Sequence, residues 1–402
     1  MSTSRVVRIE SVSALREAAP AWDDLWQRSE ITSPLLRAEM VAQWVEHFAP
    51  RSGFHALAVE EGGRYLAALP LVRCFHCPGF TVGGTTTNAW SPNGDLLLDR
   101  HVDAAAALNA LVAALRSSPW QFLWFTNVSL RRTRWVAFRA AMDRAAMRYE
   151  AREQTPVGMI ELGEDWDAFE RNLSGNRRRN MRRCIRRLGE RGATAVDVLT
   201  DLPTAEVRAR LHAAFEIEDL SWKGEAGSSV LRSAGMFEYY ARQAEQLAAW
   251  RQLELAFLRC GDRPVSFVYG YASKNVSHWH KIGYAPEFAS CTPGQLLQWE
   301  LLHRYHGSLP RRAVDTLGPL TQAIAGWRPQ PYPVGRLTVA LRGILSPVLL
   351  RTCEQGAALR RRWRHTERAP ALGGSSDTAI VTRSASEDDA RIWPRGLACA
   401  PG

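Results

Sequence analysis

Residues 279–302 read WHKIGYAPEFASCTPGQLLQWELL, and this stretch decides the fold. A strand of alternating sides runs to Tyr284, and a loop follows. The run Thr292-Pro293-Gly294-Gln295 then opens a helix, with proline suited to the first helical position. Such a start offers backbone N–H groups without helical partners at the positive end of the helix dipole, a cradle for an anion. Gly294 removes a side chain where backbone must approach a phosphate. Many helices that bind nothing also begin this way, so the surroundings decide.

Ahead of this stretch, LELAFLRC and PVSFVYGYAS are two strands joined by the Gly261–Pro264 turn, and after it comes the short strand AVDTL. Further upstream lie helices near Trp166, over Asn176–Arg187, from Thr204 to Glu218 and from Met236 to Trp250, with the strand ATAVDVLT among them. The first half has the same order. The strand RVVRI leads to helices over Val12–Arg28 and Leu35–Phe48, then to the strands FHALAVE and RYLAALPLVR around Gly62-Gly63. A Gly/Thr/Asn/Pro-rich loop over Gly83–Gly94 follows, then the helix DAAAALNALVAALR, the strand WQFLWFTNV, a helix from Trp135 and a strand near Val157. The pattern predicts an α/β (α+β) fold with a mixed sheet, built twice. The expected segments are 1–156, 157–345 and a basic helix with a disordered tail over 346–402; the duplication rests on element order alone. GRLTVALRGILSPVLL from Gly335 reads as a basic amphipathic helix docked on the protein, with lying on a membrane surface as the alternative.

Lys+Arg 51 against Asp+Glu 41 leaves a charge of +10, concentrated in the Asn176–Arg187 helix and in Arg351–Arg368. Local charge of this kind suits an anionic ligand, a membrane surface or simple solubility. The seven cysteines are odd in number and scattered, unlike a secreted disulfide framework. Cys74 and Cys77 read as strand cysteines rather than half a zinc site, because no second pair follows. With no signal-peptide run near the N-terminus and no apolar stretch of membrane-spanning length, a cytoplasmic protein is expected, with peripheral contact at the inner membrane face as an extension. In NRRRNMRRCIRRLGERG, Met181, Ile185 and Leu188 form the apolar stripe, Ser174 caps the start, and Gly189 or Gly192 ends the helix. It reads first as a domain helix, second as an electrostatic guide, third as a nucleic-acid reader.

The order of antiparallel strands, a glycine-containing helix start, a helix and a last strand resembles the GNAT acyltransferase fold. The loop departs from the usual GNAT pattern and has only Gly294; it looks like the GNAT branch associated with cellulose and exopolysaccharide biosynthesis, related to the FemAB peptidyltransferases. The resemblance covers about residues 165–330 and rests on the arginine-rich helix, SWKG at Ser221–Gly224, RPVSFVYGY at Arg263–Tyr271, KIGY at Lys281–Tyr284, and DTLGP at Asp315–Pro319 with Trp327 beyond. It implies two tandem FemAB-like GNAT domains. The second would bind acetyl-CoA or another acyl-CoA through Ile282 and Gly283 on the donor strand and through Thr292, Pro293, Gly294, Gln295 and Leu296 at the helix start, without a metal. The acyl group would pass to an amine or hydroxyl of a saccharide or envelope precursor. Tyr284 is the implied acid and Asp315 the base, while Trp222, Lys223 and Lys281 would meet the acceptor. By alternation Lys281 falls on the face opposite Tyr284, and His278 and His280 on the same face as Tyr284. Where the family has a Tyr-Lys pair before the tryptophan, this chain has TQAIAGW, so no role passes to a lysine there. The first half lacks a Pro-Gly helix start, since a strand-like segment intervenes, and would have lost or altered its site. Two alternatives are a FemAB-like peptidyltransferase using aminoacyl-tRNA, the one reading in which nucleic acid is a partner, and an inactive GNAT-fold scaffold.

Overall fold

A computed structural model describes residues 4–51, 53–77, 80–163 and 165–342; the expected basic helix and tail of 346–402 lie outside them. The chain forms two compact units: one from residues up to 30, 37–154 and 333 onward, the other from 31–36 and 155–332.

In the first unit β1 (Arg5–Ile9) leads to α1 (Val12–Glu17), α2 (Ala19–Arg28) and α3 (Ala38–Phe48). One helix was expected over Val12–Arg28; Pro20 in the first turn of α2 lacks an amide proton for a continuous ladder, and the helix restarts there. Next come β2 (His55–Glu61), β3 (Arg64–Cys77), β4 (Phe80–Thr85), β5 (Leu97–Leu98), α4 (Ala104–Leu115), β6 (Phe122–Val128), α5 (Thr133–Arg144) and β7 (Arg148–Glu161), which carries the chain into the second unit. The stretch read as a loop from Gly83 begins as strand. A Cβ on Gly83 would fall 2.4 Å from the Trp120 ring and one on Gly84 would fall 2.4 Å from Trp124 O, so these glycines serve close packing. The core gathers Leu57, Leu69, Leu108, Leu111, Leu123, Phe125, Trp135 and Phe138 between sheet and helices.

The second unit contains α6 (Trp166–Asn172), α7 (Gly175–Gly189), β8 (Thr194–Leu199), α8 (Thr204–Asp219), α9 (Trp222–Glu225), α10 (Met236–Ala249), β9 (Leu253–Cys260), β10 (Arg263–Ser273), β11 (Val276–Tyr284), α11 (Pro293–Tyr305), β12 (Ala313–Pro319) and α12 (Gln322–Ala325). β13 (Gln330–Ala340) returns the chain to the first unit. Within the second unit the sheet order is β7, β12, β11, β10, β9, β8; β11 and β12 run parallel and the remaining pairs antiparallel. The sheet is mixed, as the sequence predicts. Its one face packs α7 and α11 through Met181, Cys184, Leu188, Leu297, Leu301 and Trp279. Its other face receives α8 and α10, with Phe215 and Tyr240 against Phe267 and Tyr269. Residues 335–340 are strand rather than helix. Leu337, Thr338 and Val339 are buried in succession, as in a strand covered on both faces, and the arginines of this stretch obscure that reading.

Candidate functional site

The second unit's sheet opens where the chemistry was expected. β11 pairs with β12 only over Val276–His278, against Ala313–Asp315. From Trp279 to Tyr284 β11 keeps its partner β10 but has no register with β12, which leaves one backbone edge of that segment unpaired by a strand. A bulge lies at the point of parting: Trp279 faces Gly270 and Lys281 faces Tyr269, with His280 extra. Gly270 permits it, because a Cβ there would sit 2.3 Å from His278 O.

The bulge corrects the alternation read from the sequence. Trp279 belongs to the core under α11, and Ile282 and Tyr284 also point to that face, each 3.8 Å from where a Cβ on Gly294 would be. His278, His280 and Lys281 point to the other face: His278 stacks on Tyr271, while His280 meets Tyr240 and Tyr269. The histidines therefore do not share a face with Tyr284, whereas Lys281 and Tyr284 are opposed as expected. Gly283 is a glycine for packing, since a Cβ would lie 2.4 Å from Phe267 Cε1.

At the start of α11, Thr292 is left-handed (φ 46°, ψ 54°), and no side chain caps the first turn. The Thr292 hydroxyl turns to Cys184 Sγ at 3.4 Å, and the amides of Gln295 and Leu296 return to Thr292 O. Pro293 and Leu296 are buried and hold the turn in the core, while Gly294 and Gln295 remain half-buried. Arg177, from α7, reaches this turn. Its Nη1 donates to Gln295 Oε1 at 2.5 Å and Nη2 to Ala323 O at 3.3 Å, and its guanidinium lies 3.8 Å from the Trp327 ring centroid. Burial pulls Arg177 down to about 10. A guanidinium and a helix N-terminus side by side make this mouth strongly electropositive. In α7 the Ser174 cap forms as read, but the buried stripe is Met181, Cys184 and Leu188, and Ile185 is 41% exposed. Three- and seven-residue steps from Met181 select Cys184 and Leu188, leaving Ile185 on the shoulder.

On the opposite face Glu218 is buried and joins both predicted lysines. Lys223 Nζ lies 2.9 Å from Glu218 Oε1 and Lys281 Nζ 3.6 Å from the same oxygen, while the Val230 amide donates to Oε2 at 3.0 Å. Burial would raise the Glu218 carboxyl, but Lys281 and Lys223 outweigh it and hold it below its usual range. Burial pulls Lys281 down to about 8, against the pull of Glu218. Trp222 is 41% exposed at the α8–α9 junction. Asp315 lies in the sheet near the parting of β11 and β12; both its oxygens accept from the Tyr332 hydroxyl, at 2.9 and 3.0 Å, and Oδ1 also accepts from the Leu317 amide. Sequence reasoning missed Glu218, Tyr332 and the particular place of Arg177. For Glu218 a signal existed: it continues the buried Val207, Leu211, Ala214 and Phe215 stripe of α8, where an acid requires a partner. For Tyr332 there was none.

Residues 175–322 match the model of the acetyltransferase (GNAT) domain family. That stretch is similar to an acetyltransferase domain. Two solved structures share its fold over most of the chain. FemX aligns with TM-score 0.55 at 11% identity, covering 81% of this chain and 95% of that one. The C-terminal domain of a protein described as a lysylphosphatidylglycerol synthetase, from Agrobacterium fabrum, aligns with TM-score 0.50 at 14% identity, covering 84% and 95%. At these identities the likeness is one of fold. Among curated proteins no match to the sequence was found. The open segment of β11, the uncapped turn of α11 and Arg177 all fall within the matched residues. No helix among the described residues is long and apolar enough to cross a membrane.

Proposed function

We propose that the chain transfers an acyl group from acetyl-CoA or a longer acyl-CoA to an amine or hydroxyl acceptor. The observation that carries this reading is the uncapped turn of α11 set against Ile282 and Tyr284, on the segment of β11 whose outer edge lacks a strand partner. The donor's diphosphate rests on the amide of Gly294, with Thr292, Pro293, Gln295 and Leu296 shaping the turn and Arg177 adding charge. The pantetheine arm then runs along Ile282 and Gly283, where an edge N–H polarises the thioester carbonyl. Tyr284, 44% exposed beside Gly294, is placed to protonate the departing thiolate. Asp315, whose oxygens accept from the Tyr332 hydroxyl and the Leu317 amide, lies near the parting of the strands. Trp222 and Lys223 would border the acceptor, for which the resemblance suggests a saccharide or envelope precursor.

One observation favours keeping the aminoacyl-tRNA donor in the comparison. On α7, Arg179 and Arg183 are oriented by the neutral amide oxygens of Asn176 and Asn180, so their charge stays available for phosphates. Thermal shifts separate the readings. Acyl-CoA should raise the midpoint in a concentration-dependent way. Salt-sensitive tRNA binding without any acyl-CoA response would favour the peptidyltransferase, and silence to both would favour an inactive scaffold.

A further inference from the structure

We propose that Lys281 takes the proton of the acceptor, with Glu218 and Lys223 as positioning residues, and that the acceptor enters on the α8–α10 face of the sheet. The inference rests on the donor reading above. Ile282 and Tyr284 face α11, where the phosphates would lie, and Lys281 leaves the same segment of β11, beyond its register with β12, toward the opposite face. A thioester lying along that edge thus has donor contacts on one side and Lys281 on the other.

The charge arithmetic of the cluster indicates which lysine yields its proton. Two ammonium groups share one oxygen of one buried carboxylate. Lys223 is the nearer at 2.9 Å, and its side chain is 31% exposed; Lys281 is the farther at 3.6 Å, and its side chain is 13% exposed. The carboxylate matches one cation, and water solvates Lys223 better, so Lys281 is the one whose neutral form costs least. Burial pulls Lys281 down to about 8, against the pull of Glu218. Among the groups facing it are Glu218 from α8, Tyr240 from α10, with its ring centroid 5.2 Å from Nζ, and Tyr269, its cross-strand partner on β10, while Lys223 from α9 shares the Glu218 oxygen. The Tyr240 phenol, driven well up by burial, stays neutral throughout.

The step balances. As the acceptor nitrogen or oxygen bonds to the thioester carbon, its proton passes to the Lys281 lone pair and the C–S bond breaks. The thiolate leaves and takes a proton from solvent or from Tyr284, which regains one from solvent, and Lys281 returns its own to solvent, giving the acylated acceptor and CoA–SH.

The test uses the full chain with acetyl-CoA and a panel of primary amines including ethanolamine and glucosamine, following CoA release with a thiol reagent and acetyl-CoA affinity by calorimetry. For the wild type kcat/KM should rise with pH to a plateau above about 8. Lys281→Met and Lys281→Arg should lose about 100-fold or more in kcat/KM with donor affinity kept within about twofold. Added methylamine should restore part of the rate to Lys281→Ala. Glu218→Gln should move the rising limb to lower pH and Lys223→Met to higher pH, because one removes a partner of the ammonium and the other a competitor. A Lys281→Met protein within about threefold of wild type overturns the proposal. So does a limb unmoved by both neighbouring changes, or a wild type that binds acetyl-CoA yet releases no CoA to any amine. Failure of the wild type to bind acetyl-CoA removes the donor reading itself, and this inference with it.

Discussion

His278 shows how far a single side chain's environment departs from its sequence context. The imidazole is 1% exposed, with Nε2 3.0 Å from the Thr32 hydroxyl and Nδ1 3.3 Å from Tyr271 O, and burial pulls it down to about 4. In the unfolded chain it takes up a proton near pH 6.5, while in the fold it stays neutral. Stability is therefore complete above that pH and is lost as pH falls toward 4, by about 3 kcal/mol from this residue. Denaturant midpoints of wild type and His278→Asn compared at pH 7 and pH 5 should show a smaller drop for the variant; equal drops would show that His278 is not the buried neutral group described. The strand HWH was legible, but the burial of its first histidine under Thr32, some 246 residues away in the chain, was not. Glycines were legible only as permissive positions. Gly294 was read as room for a phosphate and does have space, whereas Gly283 is explained by Phe267.

Among the elements, β11 carries the most consequence. Its hydrophobic pattern announces a strand, yet the bulge at His280 resets which residues share a face, and period-two reading has no means of placing one extra residue. The signal resides in the partner, where Gly270 interrupts a run of aromatics in PVSFVYGYAS. Gly270→Ala drives a Cβ to 2.3 Å from His278 O, a backbone atom that moves only with the strand. We expect a loss of about 2 kcal/mol in urea unfolding; a change below about 0.5 kcal/mol would contradict the close approach. The helix α11 was read correctly from Pro293, because proline, glycine and the following apolar period coincide. The break between α1 and α2 and the strand β13 were hidden, the first by continuous amphipathicity and the second by arginines that mimic a basic helix.

Across the whole molecule, element order predicted a mixed sheet, while the path of the chain through two units was beyond it. Residues 31–36 join the second unit, and β13 returns the chain to the first. Such excursions depend on contacts distant in sequence, which local pattern does not encode. The first unit contains a costly polar network: Arg134, 7% exposed, donates to both oxygens of Asp95 and to Glu30, and Trp135 Nε1 donates to Asp95 Oδ1 at 2.7 Å. Asp95→Ala leaves that guanidinium with half its counter-charge and should cost about 3 kcal/mol in global stability; a near-neutral result would mean that the network adds nothing. The sequence offered no sign of it, since the partners lie 39 and 104 residues apart.

On this reading the open turn of α11 receives the donor's diphosphate. Isothermal calorimetry of acetyl-CoA and longer acyl-CoA against wild type and Gly294→Glu tests it directly. Space around Gly294 lets the new side chain fit, with neighbours no closer than 3.8 Å to its Cβ, so the fold should persist while the added carboxylate repels the phosphates. The expected result is saturable binding by the wild type and none by the variant, with both proteins showing the same circular dichroism. Equal affinity in the two proteins would contradict the site, and absence of binding in both would contradict the donor.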